Sequence, residues 1–235
     1  MKLPIFQIDA FAEKVFAGNP AAVCPLDTWL PDDQMQAVAA ENNLAETAFF
    51  VPNGTDFDLR WFTPKFEIDL CGHATLASAF VLYEHLGYDR PTITFHTKSG
   101  PLKVPQSIAQ LSMAFPARPP EQAFAPHALQ QGLDVEPLYV GKARDYLVRV
   151  CSEAEVRACV PLMERIAKLN AVGVIVTAEG EAEGVDFVSR FFAPQAGVPE
   201  DPVTGSAHST LIPFWADILG KNQMVAHQIS DRGGV

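Results

Sequence analysis

The feature that most constrains the fold is a repeat inside the chain. Arg60-Trp61-Phe62-Thr63-Pro64 matches Arg190-Phe191-Phe192-Ala193-Pro194 at an offset of 130, and Gly72-His73-Ala74 matches Gly205-Ser206-Ala207 at an offset of 133. Leu86-Gly87 returns as Leu219-Gly220 at the second offset, so three extra residues fall in the loop after the proline. The helix that follows then has one length in both halves. The same punctuation in the same order points to one unit built twice. Ala48-Phe49-Phe50-Val51 is set against Gly173-Val174-Ile175-Val176 as the apolar strand entering each unit, which puts Glu46 opposite Ala171.

Short runs rich in β-branched and aromatic residues predict strands over Ile5 to Asp9, Thr47 to Val51, Phe57 to Phe62, Thr92 to His96, Leu111 to Phe115, Tyr146 to Val150, Val172 to Thr177 and Val185 to Phe192. Helical patterns cover Asp32 to Asn43, Gly72 to His85, Glu121 to Gln131, Glu153 to Leu169 and Gly205 to Leu219. This is an α+β pattern, with sheets wrapped on helices. Pro116, Pro119, Pro120 and Pro126 cluster where the periodicity goes quiet. A boundary there divides the chain into an N-terminal lobe over 1–115 and a C-terminal lobe over 116–235. Two similar lobes facing each other would place their sites in the cleft between them.

Charge narrows the partners. Lys and Arg number 17 against 28 Asp and Glu, a formal charge of −11, so a phosphate-tracking surface lacks cations and nucleic acid is excluded as a partner. Pro4, Gln7 and Asp9 break the apolar run at the start, which does not read as a secretory signal, and no later run is long enough for a membrane span. The expected location is cytoplasmic. Cys24, Cys71, Cys151 and Cys159 form no Cys-x-x-Cys pair and read as reduced thiols. The six histidines lie at no zinc-type spacing, and no Gly-rich dinucleotide turn or P-loop is present. The expectation is therefore no metal and no cofactor.

Each matched unit runs strand, loop, then a helix opening at Gly-x-Ala. A helix start presents unpaired N–H groups and the positive end of the dipole, which suits a carboxylate or a developing enolate, so the expected ligand is a small anionic substrate. Gly72 and Gly205 would let that substrate approach the backbone, or would only permit tight turns. The two copies differ where chemistry could sit: His73 against Ser206, and Glu46 with no acid opposite it. Asp201 lies just before the second helix. On its own, Glu46 reads more readily as a solvated loop acid than as a site residue. Cys71, beside a helix start, could be a low-pKa nucleophile or base. Its counterpart is Thr204, so a two-thiol epimerase is disfavoured and Cys71 reads as a small packed residue.

Phe6-Gln7-Ile8-Asp9-Ala10-Phe11, Gly18-Asn19-Pro20-Ala21-Ala22-Val23, Asn43-Leu44-Ala45-Glu46-Thr47, the Arg60 to Pro64 block, Asp69-Leu70-Cys71-Gly72-His73-Ala74-Thr75 and Glu200 to His208 together resemble the signature blocks of the PhzF-like isomerase family, over essentially the whole chain. The resemblance implies a diaminopimelate-epimerase-like fold of two pseudo-symmetric lobes, each a sheet wrapped around a central helix, and usually a homodimer. It implies a cofactor-free isomerase that moves a proton on a small carboxylate-bearing substrate, similar to dihydro-3-hydroxyanthranilate isomerase of phenazine biosynthesis. Glu46 then takes the place of the general acid/base, with His73 and Asp201 as polar partners and Gly72, Gly205 and Ser206 near the substrate carboxylate. The competing readings are an amino-acid racemase or epimerase using Cys71, and a non-catalytic binder of small carboxylates. Members of the family usually continue past the Arg-Gly-Gly stretch with one or two more strands, so the end of the second sheet is expected to be missing after Val235.

Overall fold

The segments marked by the repeat become strands that lead into a helix start. The computed structural model describes residues 2–12, 14, 16–106 and 111–235. It divides into two units, one of Met1–Ala10 with Asn19–Phe115 and one of Phe11–Gly18 with Pro116–Val235. The segment before Asn19 joins the second unit through Arg232, whose guanidinium donates to the carbonyls of Gly18 and Ala17, and through the Gly18 N–H on the Gly233 carbonyl.

The first unit runs β1 (Phe6–Ala10), β2 (Asn19–Pro25), α1 (Asp32–Asn42), β3 (Glu46–Asn53), β4 (Asp56–Phe62), β5 (Glu67–Ile68), α2 (Gly72–Phe80), β6 (Thr92–Thr97) and β7 (Gly100–Pro105). Its sheet has the order β1-β2-β3-β4-β6-β7, with β5 paired to β4. Helix α2 continues as a π turn over Val81–His85. It packs against β1, β2 and β3 with seven of its nine residues buried. Ala74, Ala77 and Ala79 let the sheet close on the helix, while the hydroxyls of Thr75 and Ser78 donate to the carbonyls four residues back and so satisfy themselves inside the core.

The second unit carries β8 (Glu121–Gln122), α3 (His127–Gln130), β9 (Tyr139–Lys142), β10 (Tyr146–Arg149), α4 (Glu153–Ala158), α5 (Met163–Ile166), β11 (Val174–Glu179), β12 (Phe187–Ala193), β13 (Val198–Asp201), α6 (His208–Leu219) and β14 (Ala226–Gln228). Its sheet has the order β13-β12-β11-β10-β9-β8, with β14 paired to β12. The pairings repeat those of the first unit. β2 on β3 and β10 on β11 are parallel, β3 on β4 and β11 on β12 antiparallel, and β4 takes β6 in parallel as β12 takes β14.

The register corrects one alignment. Arg60 pairs with Phe49 and Arg190 with Val176, so Thr47 corresponds to Val174 and the residue opposite Glu46 is Gly173, not Ala171. Side chains preserve the repeat as well. Arg60 grips Glu67 through Nε and Nη2 at 2.8 and 2.9 Å, and Arg190 grips Glu200 the same way at 2.7 and 2.8 Å. The offset between the two arginines is 130 and that between the two acids is 133, so the extra residues lie inside each clasp's loop.

Three expected elements differ. The helix foreseen over Glu121 to Gln131 is a two-residue strand followed by the single turn α3, because Pro126 takes the N-cap position and prevents an earlier start. The helix over Glu153 to Leu169 is split into α4 and α5, with Pro161 in the break. Leu111 to Phe115 alternates as a strand would, and Leu111, Met113 and Phe115 pack on the first core, but it has no ladder partner among the described residues. In α6, Pro213 removes the N–H that would bond the Ser209 carbonyl, and the Arg118 N–H takes that acceptor at 2.7 Å. Helix α6 is otherwise held by Trp215, which is fully buried, stacks on Phe187 and donates to the Thr177 hydroxyl.

Arg190 also donates through Nη1 to the carbonyls of Val156, Arg157 and Cys159, closing the end of α4. Arg190→Ala strands Glu200 and these carbonyls and is expected to cost about 2–3 kcal/mol in urea unfolding. Arg165→Ala, which loses only an exposed 3.9 Å contact to Glu164, should stay within about 0.5 kcal/mol.

Candidate active site

Glu46 is the first residue of β3, and the turn before it is built locally. Asn43 caps α1 in the left-handed region at φ 50°, its N–H bonds the Ala39 carbonyl, and Asn42 donates to the Thr47 hydroxyl. Asn19 opens β2, two positions before Ala21, the parallel register partner of Glu46. His73 is the second residue of α2 and Cys71 its N-cap. Strand starts and helix start therefore meet at one end of the sheet.

His73 is fully buried, and burial pushes its pKa down to about 3. The imidazole is neutral at ordinary pH. Its Nδ1 lies 3.3 Å from Asn19 Nδ2 and 3.6 Å from Cys71 Sγ, and its Nε2 lies 3.2 Å from Glu46 Oε2. An amide nitrogen can only donate, so Nδ1 accepts and the proton sits on Nε2, facing the carboxylate. The 3.2 Å contact lacks the alignment of a formed hydrogen bond, which a small side-chain rotation would supply. Cys71 places no side-chain hydrogen bond on the first turn of α2, and the backbone N–H groups of a helix start suit an anion. A groove of about 870 Å³ in this unit is lined by residues such as Leu26, Phe57 and Tyr88 and includes none of these groups.

In the second unit the matching positions carry other chemistry. Asp201 is buried at the end of β13. Its carboxylate accepts from the Thr204 hydroxyl at 2.5 Å, while Gln228 donates to the Asp201 carbonyl and accepts from the Thr204 N–H. Gly205 and Ser206 open a 3-10 turn that becomes helical only at His208, a later start than expected. His208 Nδ1 contacts the Thr204 carbonyl at 3.1 Å, in the place where Thr75 donates to the Cys71 carbonyl. Burial lowers its pKa too. Ser206 receives Arg144 Nη2 at 3.0 Å, and Arg144 also holds Asp145, which accepts from the Gly173 N–H. Burial raises the pKa of Asp145 against the pull of Arg144.

Sequence reasoning thus brings Glu46, His73 and Gly72 into one cluster, and Asp201, Gly205 and Ser206 into another. It missed Asn19, Arg144, Asp145 and Gln228. Asn19 sits in a quoted sequence block, yet nothing in its spacing shows that it would reach a histidine 54 residues away. A buried acid beside an arginine, as at Arg144-Asp145, was the available signal for that pair.

Folding is linked to His73 and to the half-buried His208. A folded pKa below the unfolded value of 6.5 gives stability that is present above 6.5 and is lost as pH falls towards about 3. Unfolding free energy is expected to drop over that window by up to about 1.4 kcal/mol per pH unit for each imidazole. In His73→Gln the drop should be shallower but not absent, because His208 acts in the same direction.

A family model described as Phenazine biosynthesis-like protein matches residues 8–234. An uncharacterised isomerase of Pseudomonas aeruginosa is 51% identical over 234 residues, covering 100% of this chain and 90% of that protein. A human phenazine biosynthesis-like domain-containing protein is 40% identical, with the same shares covered. The crystal structure of a PhzF-family phenazine biosynthesis protein from Enterococcus faecalis superposes with a TM-score of 0.91 at 45% identity, covering 100% of this chain and 90% of that one. A probable proline racemase from Agrobacterium radiobacter, 10% identical with a TM-score of 0.61, shares the fold.

Proposed function

Because the chain belongs to the phenazine biosynthesis-like protein family, has its diaminopimelate-epimerase-like fold and is an isomerase, we propose that it moves a proton on a small carboxylate-bearing substrate with Glu46 as the single acid/base. The observation that carries this reading is the Glu46 carboxylate 3.2 Å from the buried Nε2 of His73, beside a helix start whose N-cap residue, Cys71, makes no side-chain cap hydrogen bond. Glu46 takes a proton from one substrate carbon and delivers it to another carbon, or to the other face of the same one. His73, neutral and directed by Asn19, turns its Nε2 towards the carboxylate. The N–H groups at the start of α2, from Gly72 onward, bind the substrate carboxylate and the charge that develops on proton removal. Asp201, Gly205 and Ser206 are the further groups that the family resemblance assigns to substrate binding. No part of this chemistry calls for a cofactor. The expected setting is a cytoplasmic homodimer, and light scattering reads the oligomeric state.

A second reading has one observation behind it: Cys71 Sγ lies 3.6 Å from His73 Nδ1, an arrangement suited to a thiol base. Against it stands Thr204 at the matching position of the second unit. With dihydro-3-hydroxyanthranilate, or a substrate identified by mass spectrometry of co-purified ligand, Glu46→Gln is expected to lower kcat by roughly 100-fold or more while binding persists. Near-normal turnover in Glu46→Gln together with its loss in Cys71→Ala would transfer the reaction to the thiol.

A further inference from the structure

Register across the second unit shows what stands at the places of the Asn19–His73 pair. Tyr146 lies opposite Val174 as Ala22 lies opposite Thr47, so Arg144 and Asp145 hold the places of Pro20 and Ala21, beside that of Asn19, and Ser206 holds the place of His73. Arg144 is fastened along one edge: its Nε and Nη2 lie 3.2 and 3.0 Å from Asp145 Oδ2, and Nη2 also donates to the Ser206 hydroxyl at 3.0 Å. The other Asp145 oxygen accepts from the Gly173 N–H, so this buried carboxylate is held on both sides. Arg144 Nη1 has no partner among the described residues, and the side chain is 22% exposed. Because the Ser206 oxygen accepts, its own O–H remains available to donate. Ser209, one turn on, carries a buried hydroxyl without a partner among the described residues, and its carbonyl takes the N–H of Arg118. The half-buried Arg118 side chain makes no ion pair or hydrogen bond among the described residues, yet its charge acts on Asp145 through space.

We propose that Arg144 and Arg118, with the hydroxyls of Ser206 and Ser209, bind a carboxylate at the start of α6. Charge selects the ligand. Two guanidiniums act on one buried carboxylate, Asp145, which leaves one positive charge unbalanced in a chain whose formal charge is −11. A monoanion balances it, whereas a phosphate dianion would carry excess negative charge into a partly buried site. Arginine suits the task because its planar fork holds Asp145 along the Nε–Nη2 edge and leaves the Nη1–Nη2 edge for a second oxyanion. Ser206 lies on Nη2, so an anion on Nη1 sits beside its hydroxyl. Asp145 is then a positioning residue, which fixes the plane of the fork without touching the ligand. That this carboxylate belongs to the substrate rests on the isomerase reading, in which Ser206 is a substrate contact by family resemblance. The anion site itself does not.

Binding is measured without turnover, with benzoate as the probe and benzamide as its uncharged control, at fixed ionic strength, in protein labelled with ¹⁵N at arginine. The Nε–H signals of Arg144 and Arg118 are assigned through Arg144→Lys and Arg118→Lys. Both signals should move with one saturable dissociation constant as benzoate is added, and neither should move with benzamide or with chloride at equal concentration. Arg144→Gln and Arg118→Gln should each weaken benzoate by about tenfold or more, read at the remaining arginine. Signals that ignore benzoate or move as far with chloride, or an unchanged benzoate affinity in both variants, overturn the site. Arg118 has no side-chain hydrogen bond to lose among the described residues, so if Arg144→Gln fails to fold, the parent spectra and Arg118→Gln decide. Turnover is read separately: Arg118→Gln should raise KM by about tenfold with kcat nearly kept. An unchanged KM beside weakened benzoate would overturn the assignment to substrate and leave the anion site standing. Failure of the Glu46→Gln test would remove the isomerase reading without touching the benzoate result.

Discussion

An imidazole taken wholly out of water must stay neutral and must find its partners in the protein. At His73 those partners come from three separate stretches of chain: Asn19 at the start of β2, Glu46 at the start of β3 and Cys71 at the N-cap of α2. Their meeting requires β2 and β3 to run parallel and α2 to begin over the same end of the sheet. The small residues of α2 allow this, because a bulky helix face would hold the sheet, and with it Glu46, away from the ring. The position of the acid, its directed contact with Nε2 and the open helix end beside it all follow from burying that one ring.

The second unit shows what the same backbone does without that constraint. The Arg–Glu clasp, the strand pairings and the bond from the fourth helical position to the carbonyl ahead of the helix are all kept, through Arg190 and Glu200 and through His208 in place of Thr75. The positions around Glu46 and His73 have diverged. Gly173 stands where Glu46 stands, and the nearby acid is Asp145, tied to Arg144 and through it to Ser206. One scaffold thus holds a neutral imidazole beside a carboxylate in one copy and a guanidinium beside a hydroxyl in the other.

Much of the fold was legible because punctuation is local. Arg60, Pro64, Gly72 and their repeats mark strand ends and helix starts whatever lies around them, and the α+β architecture follows from them. Glu46 and His73 were legible as candidates through the same blocks. What spacing along the chain does not carry is registration across it: reading Glu46 against Ala171 slipped by two residues because apolar strands without polar markers align equally well at several offsets. The strand Asn19 to Pro25 is absent from the predicted strands, and its prolines, Pro20 and Pro25, lie at or beside its ends, where a missing N–H is tolerated. At Pro126 and Pro161 helical periodicity carries the prediction through a residue that lacks the N–H a helix needs.

The ring of His73 can be observed directly. In protein labelled with ¹⁵N at histidine, long-range proton–nitrogen correlations report which ring nitrogen carries the proton. The account predicts that His73 shows a protonated Nε2 and a bare Nδ1, and that this pattern does not change as pH is lowered from neutral through the ordinary histidine value of 6.5, consistent with a pKa held down to about 3. A proton on Nδ1, or a titration centred near 6.5, would contradict it, because Glu46 would then face either a lone pair or a cation in place of a neutral donor.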